Sequence, residues 1–201
     1  IMNKTPYYSN EIKTNNIRFS GINYTNNKQY ICIRYQNNET IYIQSPIFKF
    51  INPIIENKIN DKIYNELYLF LTPIDSTTFS FIKLMDEIEQ NMLNYLQSSM
   101  KHNDIIITNT IKSSDLESND DTKLKQIKKY IKIKLLDMTK IDYNNKIITF
   151  EELNQLVNKV NLKLIFEISN IWLSPNTTNN QIKIGIYLKP IKIKVIDIIE
   201  E

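Results

Sequence analysis

Strict alternation of apolar and polar residues constrains this chain more than any other feature. In Lys123 to Leu135, the apolar residues Ile127, Ile131, Ile133 and Leu135 share one parity, while Lys128, Tyr130, Lys132 and Lys134 share the other. Successive side chains of a strand point to opposite faces, so this spacing predicts a half-buried β-strand with its apolar face turned into a core. Gln181 to Ile199 repeats the pattern at greater length. Ile182, Ile184, Ile186 and Leu188 hold the even parity, then Ile191, Ile193 and Val195 hold the odd. The parity switches at Lys189-Pro190, which predicts a bulge or a sheet-changing bend there.

Shorter stretches of the same kind fill the rest. Asn16 to Ser20 opens a first strand. Gln29 to Tyr35 and Thr40 to Gln44, joined by Gln36-Asn37-Asn38-Glu39, predict a hairpin that stops at Ser45-Pro46, because proline cannot donate to a ladder. Residues 47–62 read as irregular. Asn65 to Thr72 carries Leu67, Leu69 and Leu71 on one parity, and Ile105 to Ile107 is a short strand. Lys146 to Thr149 is expected to pair with the Lys-rich strand through Tyr143-Asn144-Asn145, and Leu162 to Leu173 carries the only tryptophan, Trp172.

One long helix interrupts the strands. It starts at an Asp75 or Ser76 cap and runs to about Ser98, with Phe81, Leu84, Met85, Ile88, Met92, Tyr95 and Leu96 at three- and four-residue spacing. The neighbouring Asp86, Glu87 and Glu89 read as its solvent face. A capping box, Thr149-x-x-Glu152, predicts a short second helix to about Val160. Many strands and one long helix predict an α+β, mostly antiparallel β domain on a closed or partly closed barrel. Residues 1–15 read as a flexible arm before a single domain at 16–201, with a flexible Ser- and Asp-rich loop at 112–122.

Composition narrows the function. The chain has 38 Ile, 27 Asn and no Ala, the residue usage of an extremely AT-rich coding sequence, and 23 of its 25 basic residues are Lys. With one histidine, His102, and one cysteine, Cys32, zinc sites and Ser-His or Cys-His nucleophile systems have little to be built from. Two glycines cannot form a phosphate-binding glycine loop. No enzyme, cofactor or metal site is expected, and no apolar run is long enough for a membrane span. The absence of a signal-like N-terminal segment and of cysteine pairs suggests an intracellular, reducing setting.

A net charge of +3 is modest, but six of the lysines fall between Lys123 and Lys134 with no acid among them. Lysines interleaved with aromatic rings on a sheet suit single-stranded nucleic acid, whose phosphates Lys neutralises and whose bases stack on rings. The candidate binding residues are Tyr35, Tyr42, Lys49, Lys128, Tyr130, Lys132 and Lys134, with Lys192 and Lys194 as a second basic face. The scarcity of Arg argues against base-specific groove reading. An ordinary solvated Lys face is the plain alternative.

Three pieces together carry a resemblance. They are the strand entering Thr40-Ile41-Tyr42-Ile43-Gln44-Ser45-Pro46, the Leu67 to Thr72 strand followed by a Phe79 to Leu96 helix, and the closing Ile171-Trp172-Leu173, Gly185-Ile186 and Ile191-Lys192-Ile193-Lys194-Val195. The pattern resembles the phage-type single-stranded-DNA-binding proteins of large nucleocytoplasmic DNA viruses. That resemblance implies an OB-like, partly closed barrel with one long inserted helix, and non-catalytic single-stranded DNA binding in viral DNA replication or recombination. Its setting would be the host cytoplasm, a viral factory or the virion. Single-stranded DNA is the expected partner, with a second copy of the chain and replication proteins as further candidates and no membrane. The resemblance also implies partner contact through an acidic C-terminal tail; the acids in the last stretch of this sequence are Asp197, Glu200 and Glu201. A viral structural or virion-associated assembly protein is the competing reading, favoured if the Lys-Tyr face is buried against another subunit.

Overall fold

The alternating stretches become strands whose apolar parity is buried. Ile131, Ile133 and Leu135 lie in the core, as do Leu67 and Leu69, and Ile182, Ile184, Ile186 and Leu188. The structure, a computed structural model, describes residues 5–25, 28–59, 62–72, 75–100, 104–114, 128–176, 178 and 180–198. His102, the 115–122 part of the expected loop, the opening of the Lys-rich stretch at 123–127, and Glu200 and Glu201 lie outside the described residues.

Among the described residues, thirteen strands join in one sheet. They are β1 (Tyr7–Tyr8), β2 (Arg18–Thr25), β3 (Lys28–Arg34), β4 (Ile41–Lys49), β5 (Ile55–Ile59) and β6 (Lys62–Leu71). After the helix α1 (Ser76–Ser99) come β7 (Asp104–Ile107), β8 (Ile111–Ser114), β9 (Lys128–Leu135), β10 (Lys140–Tyr143) and β11 (Lys146–Ile148). The short helix α2 (Phe150–Asn154) precedes the two longest strands, β12 (Val160–Asn176) and β13 (Gln181–Asp197). The main path runs β11-β10-β13-β12-β4-β6-β9-β8. Most pairs are antiparallel; β1–β4, β7–β13 and β10–β13 are parallel. The wall β13-β12-β4-β6-β9 curls until β9 and β13 approach within 8 Å at their Cα atoms. No ladder joins those two among the described residues. The expected α+β, mostly antiparallel architecture with one long inserted helix is therefore the one observed, and the barrel is partly closed.

Helix α1 starts where the sequence placed it. Asp75 Oδ1 accepts from the Thr78 N–H at 2.6 Å, and Phe81, Leu84, Met85, Ile88, Met92 and Leu96 are buried. Phe81 meets Phe48 edge-on, 6.2 Å between centroids. Glu89 corrects the sequence reading: it is 6% exposed and accepts from the Thr110 N–H at 2.6 Å, whereas Asp86 is exposed. Burial pushes the Glu89 carboxyl above its ordinary range.

The anticipated β3–β4 hairpin does not form. Both strands pair with β12, β3 through Gln29–Cys32 against Leu173–Asn170 and β4 through Ile41–Lys49 against Ile168–Asn161, so they run end to end along one edge. The intervening Gln36–Asn38 turn, with Asn38 at φ 65°, closes on the Tyr35–Glu39 bridge and returns the chain to its original direction. The true partner of β3 is β2, which meets it across Thr25 and Lys28.

Nor does Pro46 end β4. At the register shift the Ser45 hydroxyl takes over the ladder: it accepts from the Leu164 N–H at 2.9 Å and donates to the Pro46 carbonyl at 2.6 Å. The bend expected at Lys189-Pro190 is present as a bulge, with Phe166 opposite Pro190 and Ile165 opposite Lys192. β11 pairs with β10 rather than with the Lys-rich strand, through Asn144 and Asn145 at φ 50° and 63°. The capping box forms in both directions, Thr149 N–H to Glu152 Oε2 at 2.7 Å and Glu152 N–H to Thr149 Oγ1 at 3.2 Å, and α2 ends at Asn154, short of Val160. Residues 5–15, read as a flexible arm, dock instead: β1 pairs with β4, and Ile12 is buried. In the expected 112–122 loop, Lys112 to Ser114 belong to β8, and β5 occupies part of the stretch read as irregular.

Candidate functional site

Cross-strand register assembles an aromatic and basic surface on the outer face of the barrel. Because Leu67, Leu69, Ile131 and Ile133 point inward, Tyr64, Glu66, Tyr68 and Phe70 of β6 and Tyr130, Lys132 and Lys134 of β9 face outward. Pairing then aligns Lys112, Tyr130, Phe70 and Lys49 in one row crossing four strands. The next row sets Tyr68 opposite Lys132, and the one after sets Glu66 opposite Lys134. The Tyr130 ring lies 5.6 Å from Phe70 and 5.9 Å from Tyr68, centroid to centroid, with planes tilted by 34° and 33°. All three rings are partly exposed. Lys132 Nζ stands 5.6 Å from the Tyr68 centroid, and Lys134 Nζ 4.2 Å from that of Tyr64.

The surface opens into a cleft of about 350 Å³ at the seam of the barrel. β8 pairs only with Lys128–Ile131, leaving the Lys132–Leu135 edge of β9 without a ladder partner on that side among the described residues. On β13, β7 covers Gln181–Ile184 and β10 covers Lys192–Lys194, so the edge between them has no ladder partner on that side among the described residues. Lys132, Lys134, Lys112 and Glu66 line the cleft with Trp172, Tyr187 and the Thr108 to Thr110 connection. Trp172 lies across Gly185, so close that a Cβ there would be 2.5 Å from Trp172 Cζ2. Its indole is thereby held against the β13 backbone, forming an aromatic wall of the cleft. Burial pushes the Tyr187 phenol above its ordinary range.

One carboxylate competes inside this surface. Glu66 Oε2 is 2.7 Å from Lys132 Nζ, and that hydrogen bond holds the ammonium above its ordinary pKa. Lys132 is thus charged but already partnered, whereas Lys134 and Lys112 line the cleft without an ion pair among those of the described residues.

The nine expected residues divide. Lys49, Tyr130, Lys132 and Lys134 belong to one continuous surface, and Lys128 belongs to the same strand, opposite Ser114. Tyr35 does not: at 4% exposure it is a core residue, its hydroxyl accepting from the Lys13 N–H at 3.2 Å and its ring edge-on to Tyr7, so no base can stack on it. Tyr35 shares the parity of Ile31 and Ile33, both fully buried, so the alternation of the strand itself turns its ring inward. Tyr42 is half-buried opposite Glu167, which is bound to Lys189 at 3.3 Å, away from the Lys49 row. Lys192 and Lys194 form a separate basic face with Lys163 and Lys140, and Lys192 is tied to Asp142 at 2.9 Å. They lie five to seven residues beyond Tyr187, about 17–23 Å along the strand.

Sequence reading missed Tyr64, Tyr68, Phe70, Lys112, Trp172 and Tyr187 as surface components. The signal for the first three was present: they are the parity opposite Leu67, Leu69 and Leu71. Among the described residues no group of three or more His, Cys, Asp or Glu is placed to hold a metal ion, and no helix is long and apolar enough to cross a membrane.

No protein-family model matches the chain, and no curated protein matches it. Among solved structures it is similar to the crystal structure of gp2.5, a single-stranded DNA binding protein encoded by bacteriophage T7. The TM-score is 0.42 and the identity 10%, over 81% of this chain and 89% of that one. That protein comes from a phage rather than from the large-virus family whose pattern the sequence resembles.

Proposed function

We propose that this chain binds single-stranded DNA, without catalysis and with little preference for sequence, in the replication or recombination of viral DNA. The observation that carries the reading is the row Lys112–Tyr130–Phe70–Lys49 with its flanking Tyr68 and Lys134, continuous with the Trp172 cleft. Partly exposed rings beside ammonium groups meet both demands of a single strand. Unstacked bases gain about 1–3 kcal/mol each on an aromatic platform, and phosphates release counterions to lysines. Paired bases of a duplex offer no faces to such rings, so the arrangement favours single strands. The AT-rich residue usage supports a viral setting.

Fluorescence anisotropy of a labelled oligo-dT strand, titrated at low and moderate salt beside the matching duplex, tests the reading. Binding is expected to favour the single strand, to fall steeply with salt, and to weaken about tenfold or more in Tyr130→Ala, the loss of one stacked base. Equal affinity for the duplex, or no binding at low salt, overturns it.

A further inference from the structure

The only two arginines of the chain, Arg18 and Arg34, occupy directly opposed positions of the β2–β3 pair. Like charges facing each other across a ladder are destabilising, and where Lys is the default basic residue, two arginines at one spot are a distinct choice of side chain. Both line a cleft of about 310 Å³ whose other walls are Asn16, Tyr35, Gln36 and Asn38, none of them acidic. Neither guanidinium takes part in the ion pairs seen among the described residues. Each is held in place through Nη1: Arg18 donates to the carbonyls of Asn15 at 2.7 Å and Ile17 at 3.2 Å, and Arg34 to that of Ile33 at 2.9 Å. Those bonds orient the planar forks and leave Nη2 and Nε for another acceptor.

We propose that this cleft binds a phosphate group. Two oriented guanidinium forks suit the paired oxygens of a phosphate, which a single ammonium contacts only as a point charge. The amides of Asn16, Gln36 and Asn38 supply further donors around the same anion. The phosphate can belong to a free nucleotide or inorganic ion, or to the end of a bound strand. The second source rests on the function proposed above. Arg34, Cys32 and Tyr30 share the outward parity of β3, and Tyr30 pairs with Trp172, so the arginines stand about 13 Å along the strand from the aromatic cleft.

With two arginines, the Arg Nε–H region of a ¹H–¹⁵N spectrum holds two signals. Titration with inorganic phosphate, against chloride at equal ionic strength, is expected to shift both saturably. Arg34→Lys, which keeps the charge and removes the fork, is expected to weaken phosphate binding about tenfold. Tyr130→Ala is expected to leave it unchanged, which separates this site from the stacking surface. The second arm compares oligo-dT with and without a 5′- or 3′-terminal phosphate. Tighter binding of one phosphorylated form in the native protein, lost in Arg34→Lys, assigns the site to a strand end. Saturable phosphate shifts with no preference between oligonucleotides assign it to a free phosphate compound and refute the strand-end source. No saturable shift beyond that of chloride overturns the proposal, whatever the outcome of oligo-dT binding.

Discussion

Gly185→Ala tests the placement of Trp172, on which the aromatic wall of the cleft depends. A Cβ at this position would stand 2.5, 2.7 and 2.9 Å from Cζ2, Cε2 and Nε1 of the indole. Carbon atoms in contact rest about 3.5–4.0 Å apart, so the ring has to withdraw by about 1 Å or more. The backbone itself raises no objection, since Gly185 has no positive φ, and Ala is favoured over Gly within a strand by about 0.5–1 kcal/mol. Overpacking costs about 1–3 kcal/mol, so the net change runs from about zero to a loss of about 2.5 kcal/mol. A loss in the lower half of that range is expected because Trp172 is only half-buried and can retreat into the cleft. Trp172 is the sole tryptophan, so its fluorescence reports on this contact alone. Urea unfolding of the variant is expected at a lower midpoint, with altered acrylamide quenching in the folded state and a smaller fluorescence response to oligo-dT. A variant as stable as the native protein, with unchanged emission and quenching, would refute the stacking of the indole on Gly185.

Three further substitutions probe separate parts of the argument. Glu66→Gln removes the carboxylate that occupies Lys132 and is expected to tighten oligo-dT binding several-fold at low salt, read by anisotropy. Ser45→Ala deprives the Leu164 N–H of its acceptor in the core and is expected to cost about 1–3 kcal/mol in urea unfolding. Glu89 has a folded-state pKa raised by burial, so its protonated form stabilises the fold. That contribution is complete below the ordinary value near 4.5 and is lost as pH rises through the raised value. Glu89→Gln keeps an acceptor for the Thr110 N–H, and its stability relative to the native protein is expected to rise as pH increases from the ordinary value near 4.5 through the raised one.

What the sequence disclosed depended on whether neighbours in the chain decided the outcome. The α1 stripe, the Asp75 cap, the Thr149 capping box and the Pro190 bulge are set by residues within a few positions of one another, and all were legible. The β3–β4 hairpin was misread because β12, more than 110 residues away, is long enough to template both strands, a tertiary fact that outweighs a turn-like tetrapeptide. Pro46 stays in a strand only because the Ser45 hydroxyl and a distant Leu164 N–H meet there. The candidate surface was half legible for the same reason. Parity marked the lysines of β9 as outward, but only the β6–β9 register reveals that Tyr68 and Phe70 flank Tyr130, and only the unjoined seam brings Trp172 and Tyr187 beside Lys132.

The lysines on the open edge of β9 have a second physical explanation. Unpaired edges attract other strands, and charged side chains deter that pairing. The two roles separate on the sign of the charge at Lys134. Lys134→Glu keeps an ion on the edge but repels phosphate, whereas Lys134→Val leaves the edge apolar. Both lose the contact with the Tyr64 ring, worth about 0.5–1 kcal/mol at an exposed site. The Glu variant also faces Glu66 directly, at a cost of about 0.2–1 kcal/mol, so neither change is large enough to unfold a typical domain. The expected outcome is that both variants bind oligo-dT more weakly, with the salt dependence reduced by about one released counterion, while only Lys134→Val self-associates on size-exclusion chromatography. If Lys134→Glu binds as the native protein does, Lys134 guards the edge and nothing more. The phosphate path then runs along Lys112, Tyr130, Phe70 and Lys49 without entering the seam.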